Sequence, residues 1–126
     1  MKKVLFLGTG SSMGIPVIGC KCPVCTSSLP KNKRFRSSVL MNINGKNFLI
    51  DAGPDFRMQA LKHQIFSVDC LLLTHGHYDH IGGLEDLRIL YFIQNRKPIL
   101  TVLSKETVEE LRNKNRYLFL PVSDFS

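Results

Sequence analysis

The sequence predicts an α/β fold in which paired strands come first and strands alternate with helices afterwards. Asn44-Gly45, between two apolar segments, is a strong signal for a tight hairpin in the first half. From residue 69 onward, short apolar runs are followed by amphipathic stretches with helical spacing. With 126 residues, of which 44% are hydrophobic, the chain is one domain at most and is long enough to bury a core.

Strands dominate the first half of the chain. The continuous apolar run that ends at Gly8 indicates a short buried strand, and the loop that follows is rich in Gly, Pro, Cys and Ser and has no periodicity. The segment that begins at Asp51 interrupts the strand that leaves the hairpin. We therefore expect strands at 3–7, 38–41 and 46–50, a long loop at 13–33 and a short helix at 56–63.

Strands and helices alternate in the second half. Leu71-Leu72-Leu73 marks a buried strand, and Pro98 separates a helix from the next strand. Ser104 is a good helix N-cap, with Glu106 in the first turn of that helix. The expected elements are a strand at 69–74, a helix at 83–94, a strand at 99–103, a helix after Ser104 and a strand at 117–122.

The net charge of +7 is concentrated at the amino-terminal end. Eight Lys or Arg residues precede the first acidic residue, Asp51, and from there on nine basic residues face ten acidic ones. This asymmetry favours an anionic ligand near that end, and a solvated basic surface is the alternative. The candidate residues for attracting such a ligand are Lys31, Lys33, Arg34 and Arg36.

Neither a secretion signal nor a membrane span is expected. The apolar run after Lys3 is four residues long, which is too short for either. Three of the four cysteines fall within six residues, a spacing that suits a metal better than a secreted disulfide framework. We therefore expect a cytoplasmic protein without a membrane partner.

A cluster of metal-ligand residue types follows the apolar strand directly. The hexapeptide from His75 to His80 contains three of the chain's four histidines and Asp79. Imidazole nitrogens and carboxylate oxygens are the ligands that borderline divalent metals prefer. In the extended part, His75 and His77 point to the same side and can bind one ion, and Asp79 and His80 can bind a second where the chain turns into a helix. Scattered core or surface histidines are a poor alternative explanation.

Two divalent ions, zinc or manganese, at about 3.5–4 Å from each other can activate water and stabilise both reacting oxygens of a phosphoryl group. The cluster therefore predicts a metal-dependent hydrolase, in which Asp79 is both a ligand and a catalytic residue that orients the attacking water. His63 lies outside the cluster beside Lys62 and is expected at the surface.

The pattern His-x-His-x-Asp-His after Leu71 to Thr74 resembles the signature of the metallo-β-lactamase superfamily, and Leu49-Ile50-Asp51-Ala52-Gly53 is similar to its other early motif. The resemblance implies that Asp51 lies behind the metal site, where it would anchor a ligating imidazole through its other nitrogen. A turn-forming role at a strand end is the alternative for Asp51. The implied fold is the amino-terminal half of an αβ/βα sandwich, with residues 1–126 as an incomplete domain.

Further motifs narrow the resemblance to one branch. They are Gly8-Thr9-Gly10-Ser11-Ser12, Gly14-Ile15-Pro16, Gly19-Cys20-Lys21-Cys22-Pro23-Val24-Cys25, Arg36-Ser37-Ser38 and Gly83-Leu84-Glu85-Asp86-Leu87-Arg88. This set resembles the cyclic-phosphate phosphodiesterase of phosphonate breakdown and its relatives, the tRNA 3′-processing endonucleases. The resemblance implies a phosphodiesterase acting on a small, anionic cyclic nucleotide-like or ribose phosphate. A tRNA 3′-processing endonuclease with RNA as its partner is the first alternative, and a truncated, inactive binding or structural module is the second.

Cys20, Cys22 and Cys25 supply three thiolates within one loop, three quarters of a tetrahedral zinc site. The resemblance implies a structural zinc that a distant histidine completes, and no residue of this sequence stands out as that ligand. A redox pair of Cys22 and Cys25, or inert thiols, are the alternatives. Cys70, within an apolar strand, is expected to be a core residue.

The resemblance also implies ligands beyond the hexapeptide: a third histidine for the first ion, a bridging aspartate, and a histidine for the second ion. No histidine follows His80 in this sequence. We therefore expect the chain to be inactive alone. Half of a sandwich would also expose an apolar sheet face, so we expect a homo-oligomer or association through that face.

Overall fold

The computed structural model describes residues 1–119. Its five strands form one sheet and lie side by side in the order in which they follow one another in the chain. The first three strands pair antiparallel, and the third to fifth pair parallel. This mixed arrangement of strands first and alternating elements later is the predicted α/β fold. The strands are β1 (Lys2–Gly8), β2 (Ser38–Ile43), β3 (Lys46–Ile50), β4 (Cys70–Leu72) and β5 (Leu100–Val102). The helices are α1 (Phe56–His63), α2 (Tyr78–Ile81), α3 (Leu84–Ile93) and α4 (Lys105–Lys114), with 3₁₀ turns at Pro30–Asn32 and Arg116–Phe119.

The hairpin between β2 and β3 is confirmed. Asn44 and Gly45 have φ angles of 51° and 79°, and Ile43 pairs with Lys46 across the turn. Positive φ at both central residues gives the twist that a two-residue hairpin needs, and Asn and Gly adopt it at the lowest cost. The turn fixes the register of the whole β2–β3 pair, and with it the position of the residues that follow β3.

The two helices predicted from capping and breaking signals are also confirmed. α1 spans the predicted residues, and it ends where Gln64 adopts a left-handed conformation with φ of 52°. The side chain of Ser104 accepts a hydrogen bond from the backbone N–H of Thr107, as expected of an N-cap residue. None of the described helices is long and apolar enough to cross a membrane.

The sheet has one covered face and one open face. Leu5, Leu40, Leu49 and Leu71 lie in register on the first face and pack in the core with helix residues such as Phe56. Because side chains alternate between faces, the neighbouring register rows lie on the second face. Four apolar side chains of these rows are about half exposed or more: Val4 (58%), Phe6 (66%), Leu100 (66%) and Val102 (48%). The expected apolar sheet face is therefore present.

The strand predicted at 117–122 is wrong for the residues that the structure describes, and residues 120–122 lie outside them. Residues 116–119 form a 3₁₀ turn, in which the N–H of Leu118 bonds to the carbonyl of Asn115. An apolar and aromatic run is compatible with either element by periodicity alone. Here Tyr117, Leu118 and Phe119 border an apolar cavity of about 460 Å³ beside Leu111 of α4, and this packing favours the turn.

Candidate metal site

A buried aspartate connects the elements that surround the histidine motif. Asp51 follows β3, is 5% exposed and has a φ of 58°, which non-glycine residues rarely adopt. Its backbone N–H donates to the carbonyl of Leu72, and the hydroxyl of Ser38 donates to its carbonyl at 2.8 Å. These bonds, together with those of the side chain, hold the strained backbone in place.

The Asp51 carboxylate accepts three hydrogen bonds. Oδ1 accepts the backbone N–H of Thr74 at 2.8 Å, and Oδ2 accepts the hydroxyl of Thr74 at 2.8 Å and lies 2.7 Å from Nδ1 of His80. An ionised carboxylate can only accept, so Nδ1 of His80 carries a proton and donates it to Oδ2. The contact expected between Asp51 and a histidine of the motif is thus present, and its role at a metal stays a prediction.

The two early motifs also pack backbone against backbone. The N–H of Ala52 donates to the carbonyl of His80, and the N–H of Gly83 donates to the carbonyl of Ala52, both at 2.8 Å. A Cβ atom at Gly53 would lie 2.1 Å from the carbonyl oxygen of Asp79. Only glycine permits this approach, which places Asp79 and His80 in a fixed position relative to the end of β3.

The four predicted ligand residues lie at the exit of β4 and in α2. Nε2 of His80 is 3.1 Å from Oδ2 of Asp79. The rings of His75 and His77 have centroids 4.5 Å apart, and those of His75 and His80 are 4.0 Å apart. The structure therefore brings the four side chains together around the short helix α2, which the sequence analysis described only as the entry to a longer helix.

The chemistry of these donors fits divalent metal ions. Nδ1 of His80 is bound to a carboxylate, as is usual for a metal-ligating histidine, and Nε2 is the nitrogen left for an ion beside the Asp79 oxygen. The motif does not form one closed site, however. Within residues 1–119, three potential ligand atoms lie within 4.8 Å of one another at Cys20, Cys22 and Cys25 instead.

The cysteine group lies in the long loop, and its members are free thiols. The N–H of Val17 points to Sγ of Cys25 at 3.4 Å, and the N–H of Cys25 points to Sγ of Cys22 at 3.5 Å. Backbone N–H groups directed at sulfur stabilise thiolates, the form that binds zinc. Within residues 1–119 no fourth ligand joins the three. Cys70, in contrast, is buried, as expected.

The thiols of this loop differ in acidity. The N–H of Cys25 and then the thiol of Cys20 lower the pKa of Cys22 to about 7. The N–H of Val17 acts to lower the pKa of Cys25, but the Cys20 thiol and burial outweigh it and raise that pKa. The thiol of Cys22 therefore ionises at a lower pH than that of Cys25.

Of the four basic residues considered for an anionic ligand, Arg34 and Arg36 have intramolecular partners. Arg36 bonds to Asp55 through Nη1 at 3.0 Å and to the carbonyl of Ser12 through Nε at 2.8 Å. Arg34 bonds to the carbonyl of Lys31 and to the hydroxyl of Thr9. The sequence analysis missed Asp55 as a partner because no local pattern connects residues 19 positions apart in the chain.

The comparisons with known proteins place the chain in a family. Residues 22–116 match the family described as Anti-Pycsar protein Apyc1. The chain belongs to this family. The matched range contains Asp51 and the whole hexapeptide from His75 to His80, and it begins within the cysteine loop.

Three longer proteins are similar to this chain over most of its length. A diphosphatase of the PhnP family has 42% sequence identity and a TM-score of 0.87, and the match covers 94% of this chain and 49% of that one. Zn²⁺-bound PqqB from Methylobacterium extorquens has 25% identity and a TM-score of 0.73, over 92% of this chain and 44% of that one. A Porphyromonas gingivalis protein named octanoyltransferase is 41% identical over 118 residues, which are 93% of this chain and 23% of that protein.

These likenesses confirm the resemblance to the metallo-β-lactamase superfamily and its phosphodiesterase branch, and the half-sandwich fold. The chain spans about half the length of the diphosphatase and of PqqB, and about a quarter of the Porphyromonas protein. The activity of the whole protein is therefore a matter for proposal.

Asp51→Asn should lower the free energy of unfolding by about 1–3 kcal/mol, because the amide has one acceptor oxygen and its NH₂ group then faces a donor of Thr74 or His80. Asparagine tolerates positive φ, so the substitution adds little backbone strain. Urea titration with a chelator present measures the change. Glu109→Gln on the exposed side of α4 is the matched control, expected within about 0.5 kcal/mol of the parent chain. An equally small effect of Asp51→Asn would contradict the anchoring role.

Alkylation by iodoacetamide should detect the lowered pKa of Cys22. The thiolate is the reactive form, so its alkylation rate should rise through a midpoint of about pH 7. Peptide mapping of the metal-free chain separates Cys22 from Cys25, which should react at higher pH because its pKa is raised. In Cys22→Ser the alkylation with the midpoint of about pH 7 should disappear, which assigns it to Cys22. A Cys22 midpoint at the ordinary thiol value of about 8.5 would show that the loop does not activate this thiol.

Proposed function

We propose that the whole protein is a metal-dependent hydrolase that cleaves a phosphodiester bond in a small cyclic nucleotide-like or ribose phosphate. This chain would supply the first half of its dinuclear site. The observation that carries the proposal is the arrangement of Asp79 and His80. Nε2 of His80 lies 3.1 Å from Oδ2 of Asp79, and Nδ1 on the other side of the ring is bound to Asp51. Both ligand atoms face the same point, and the imidazole is already oriented for an ion there.

The roles of the four residues follow from their places on the chain. His75 and His77, in the extended segment, would hold the first ion, and Asp79 and His80, at α2, would hold the second. When bound, such ions supply Lewis-acid stabilisation of phosphoryl oxygens and make water available as a nucleophile near neutral pH. Asp79 would also orient that water, since its carboxylate lies beside the His80 nitrogen that would bind the second ion. The remaining ligands would come from elsewhere in the whole protein.

Charge and similarity support a phosphorylated substrate. All of the excess positive charge lies before residue 51, and Lys31 and Lys33 are exposed there. Arg36 is already paired with Asp55, so it would attract an anion less than the two lysines. The relative with 42% identity and a TM-score of 0.87 is named a diphosphatase, which favours chemistry at phosphorus.

We further propose that Cys20, Cys22 and Cys25 hold a structural zinc ion. The mutual approach of the three Sγ atoms within 4.8 Å and the N–H groups directed at two of them support this role. An ion held by thiolates in a loop contributes to folding rather than to catalysis. The readily ionised Cys22 would release its proton at little cost when the metal binds.

The open sheet face supports an association proposal. Val4, Phe6, Leu100 and Val102 expose about half or more of their surface on one face. In the whole protein, we propose that the second layer of the sandwich covers this face, since the described chain matches about half of the diphosphatase. A second copy of the chain is the alternative occupant for the chain on its own, and burial of this area would stabilise either contact.

The catalytic and structural metals can be told apart by two substitutions in the whole protein. Asp79→Asn should reduce turnover of bis-nitrophenyl phosphate by at least about 100-fold, because loss of an anionic ligand weakens stabilisation worth several kcal/mol. Cys22→Ser should lower the melting temperature and the zinc content while the turnover per folded molecule is largely kept.

Circular dichroism and elemental analysis accompany the assay. If Asp79→Asn kept near-normal turnover while Cys22→Ser abolished it without unfolding, the two sites would be assigned the wrong way round. Cleavage of RNA with a steep dependence of binding on salt, and no cleavage of small phosphodiesters, would favour the tRNA-processing alternative.

A further inference from the structure

The hydroxyl of Thr74 lies among three groups of the candidate metal site. Its Oγ1 is 2.8 Å from Oδ2 of Asp51, 3.0 Å from Nδ1 of His75 and 3.4 Å from Nδ1 of His80. The backbone N–H of Thr74 is bound to the other oxygen of the same carboxylate at 2.8 Å. The residue as a whole is exposed, but these two bonds to Asp51 fix the position of the hydroxyl.

The protons in this group can be assigned from donor and acceptor capacity alone. The Asp51 carboxylate only accepts, so the single hydroxyl proton of Thr74 points to Oδ2. The proton on Nδ1 of His80 points to the same oxygen, which at 2.7 Å is nearer than the hydroxyl. The hydroxyl oxygen then faces Nδ1 of His75 with lone pairs only. A hydrogen bond at that distance requires Nδ1 of His75 to carry the proton.

We propose that Thr74 is a positioning residue that fixes His75 in its Nδ1–H form, so that one carboxylate orients two imidazoles of the site. Asp51 holds His80 directly and holds His75 through the Thr74 hydroxyl. With Nδ1 engaged in this way, Nε2 of each ring is the nitrogen that would bind a metal. The positioning role rests on the proposed metal site, whereas the hydrogen bond between Thr74 and His75 can be tested without a metal.

Two substitutions separate the hydroxyl from the shape of the side chain. Thr74→Val keeps the branched shape and removes the bridge, whereas Thr74→Ser keeps the hydroxyl and removes a methyl group. Long-range ¹H–¹⁵N spectra of the histidine rings report which nitrogen carries the proton. They are recorded on the metal-free chain at about two pH units above the ordinary imidazole pKa of about 6.5.

In the parent chain and in Thr74→Ser, we expect the Nδ1–H form at both His75 and His80. In Thr74→Val, His75 should shift toward the Nε2–H form while His80 keeps its Nδ1 proton, since Asp51 binds that ring directly. The His80 signal is thus an internal control for an intact fold. A parent chain with His75 protonated at Nε2 would overturn the proposal, even if Thr74→Val failed to fold. So would a His75 tautomer that is the same in Thr74→Val as in the parent chain.

Zinc titration of the Cys20→Ser/Cys22→Ser/Cys25→Ser background gives a second readout. Loss of a group that orients a ligand weakens metal binding by about 10- to 100-fold, so Thr74→Val should show a loss of this size and Thr74→Ser a small one. Equal affinities in the two variants would contradict the positioning role. Absence of zinc binding in every chain would show that this half of the site needs the ligands supplied elsewhere in the whole protein, and the tautomer measurement would still decide the role of Thr74.

Discussion

The arrangement of the site depends on the buried carboxylate of Asp51. It joins the end of β3 to Thr74 after β4 and to His80 in α2, three segments that are separate in the sequence. Burial of such a group is unfavourable unless its oxygens are bonded, and here both are. The same bonds hold Asp51 at positive φ, which turns the chain sharply enough for Gly53 to meet the backbone of Asp79. Without this carboxylate the hexapeptide would keep its backbone contacts with Ala52 and Gly53 but lose the side-chain bonds that orient Thr74 and His80.

The sheet explains why the site lies at one edge and why the chain has an open face. β3 and β4 are parallel, so the residues that follow them, Asp51 and Thr74, emerge side by side at their carboxyl ends. The helices cover the face that carries Leu40, Leu49 and Leu71, and the other face keeps exposed apolar residues. The packed face of the sheet and its helices therefore position the site, and the open face of the sheet is available to another layer.

Much of the fold and of the candidate site could be predicted from local sequence. The hairpin, α1 and the Ser104 cap each depend on residues within a few positions, where turn chemistry and capping are strongest. The histidine motif could be identified because its members lie within six residues. The contacts of Thr74 and the pairing of Arg36 with Asp55 could not, since they join segments through tertiary packing. The strand expected at 117–122 was wrong for residues 117–119 because an apolar run does not by itself distinguish a strand from a turn packed under α4.

The central claim is that His75 and His80 bind metal through Nε2, the nitrogen that faces away from the Asp51 network, and that His77 binds beside them. The most direct measurement is a zinc titration of the chain in which Cys20, Cys22 and Cys25 are replaced by Ser, followed by ¹⁵N spectra of the histidine rings. The account predicts that the Nε2 resonances of His75 and His80 respond to zinc together with His77, while their Nδ1 protons are retained and His63 is unchanged. A titration in which the three motif histidines do not respond, or respond no more than His63, would contradict it.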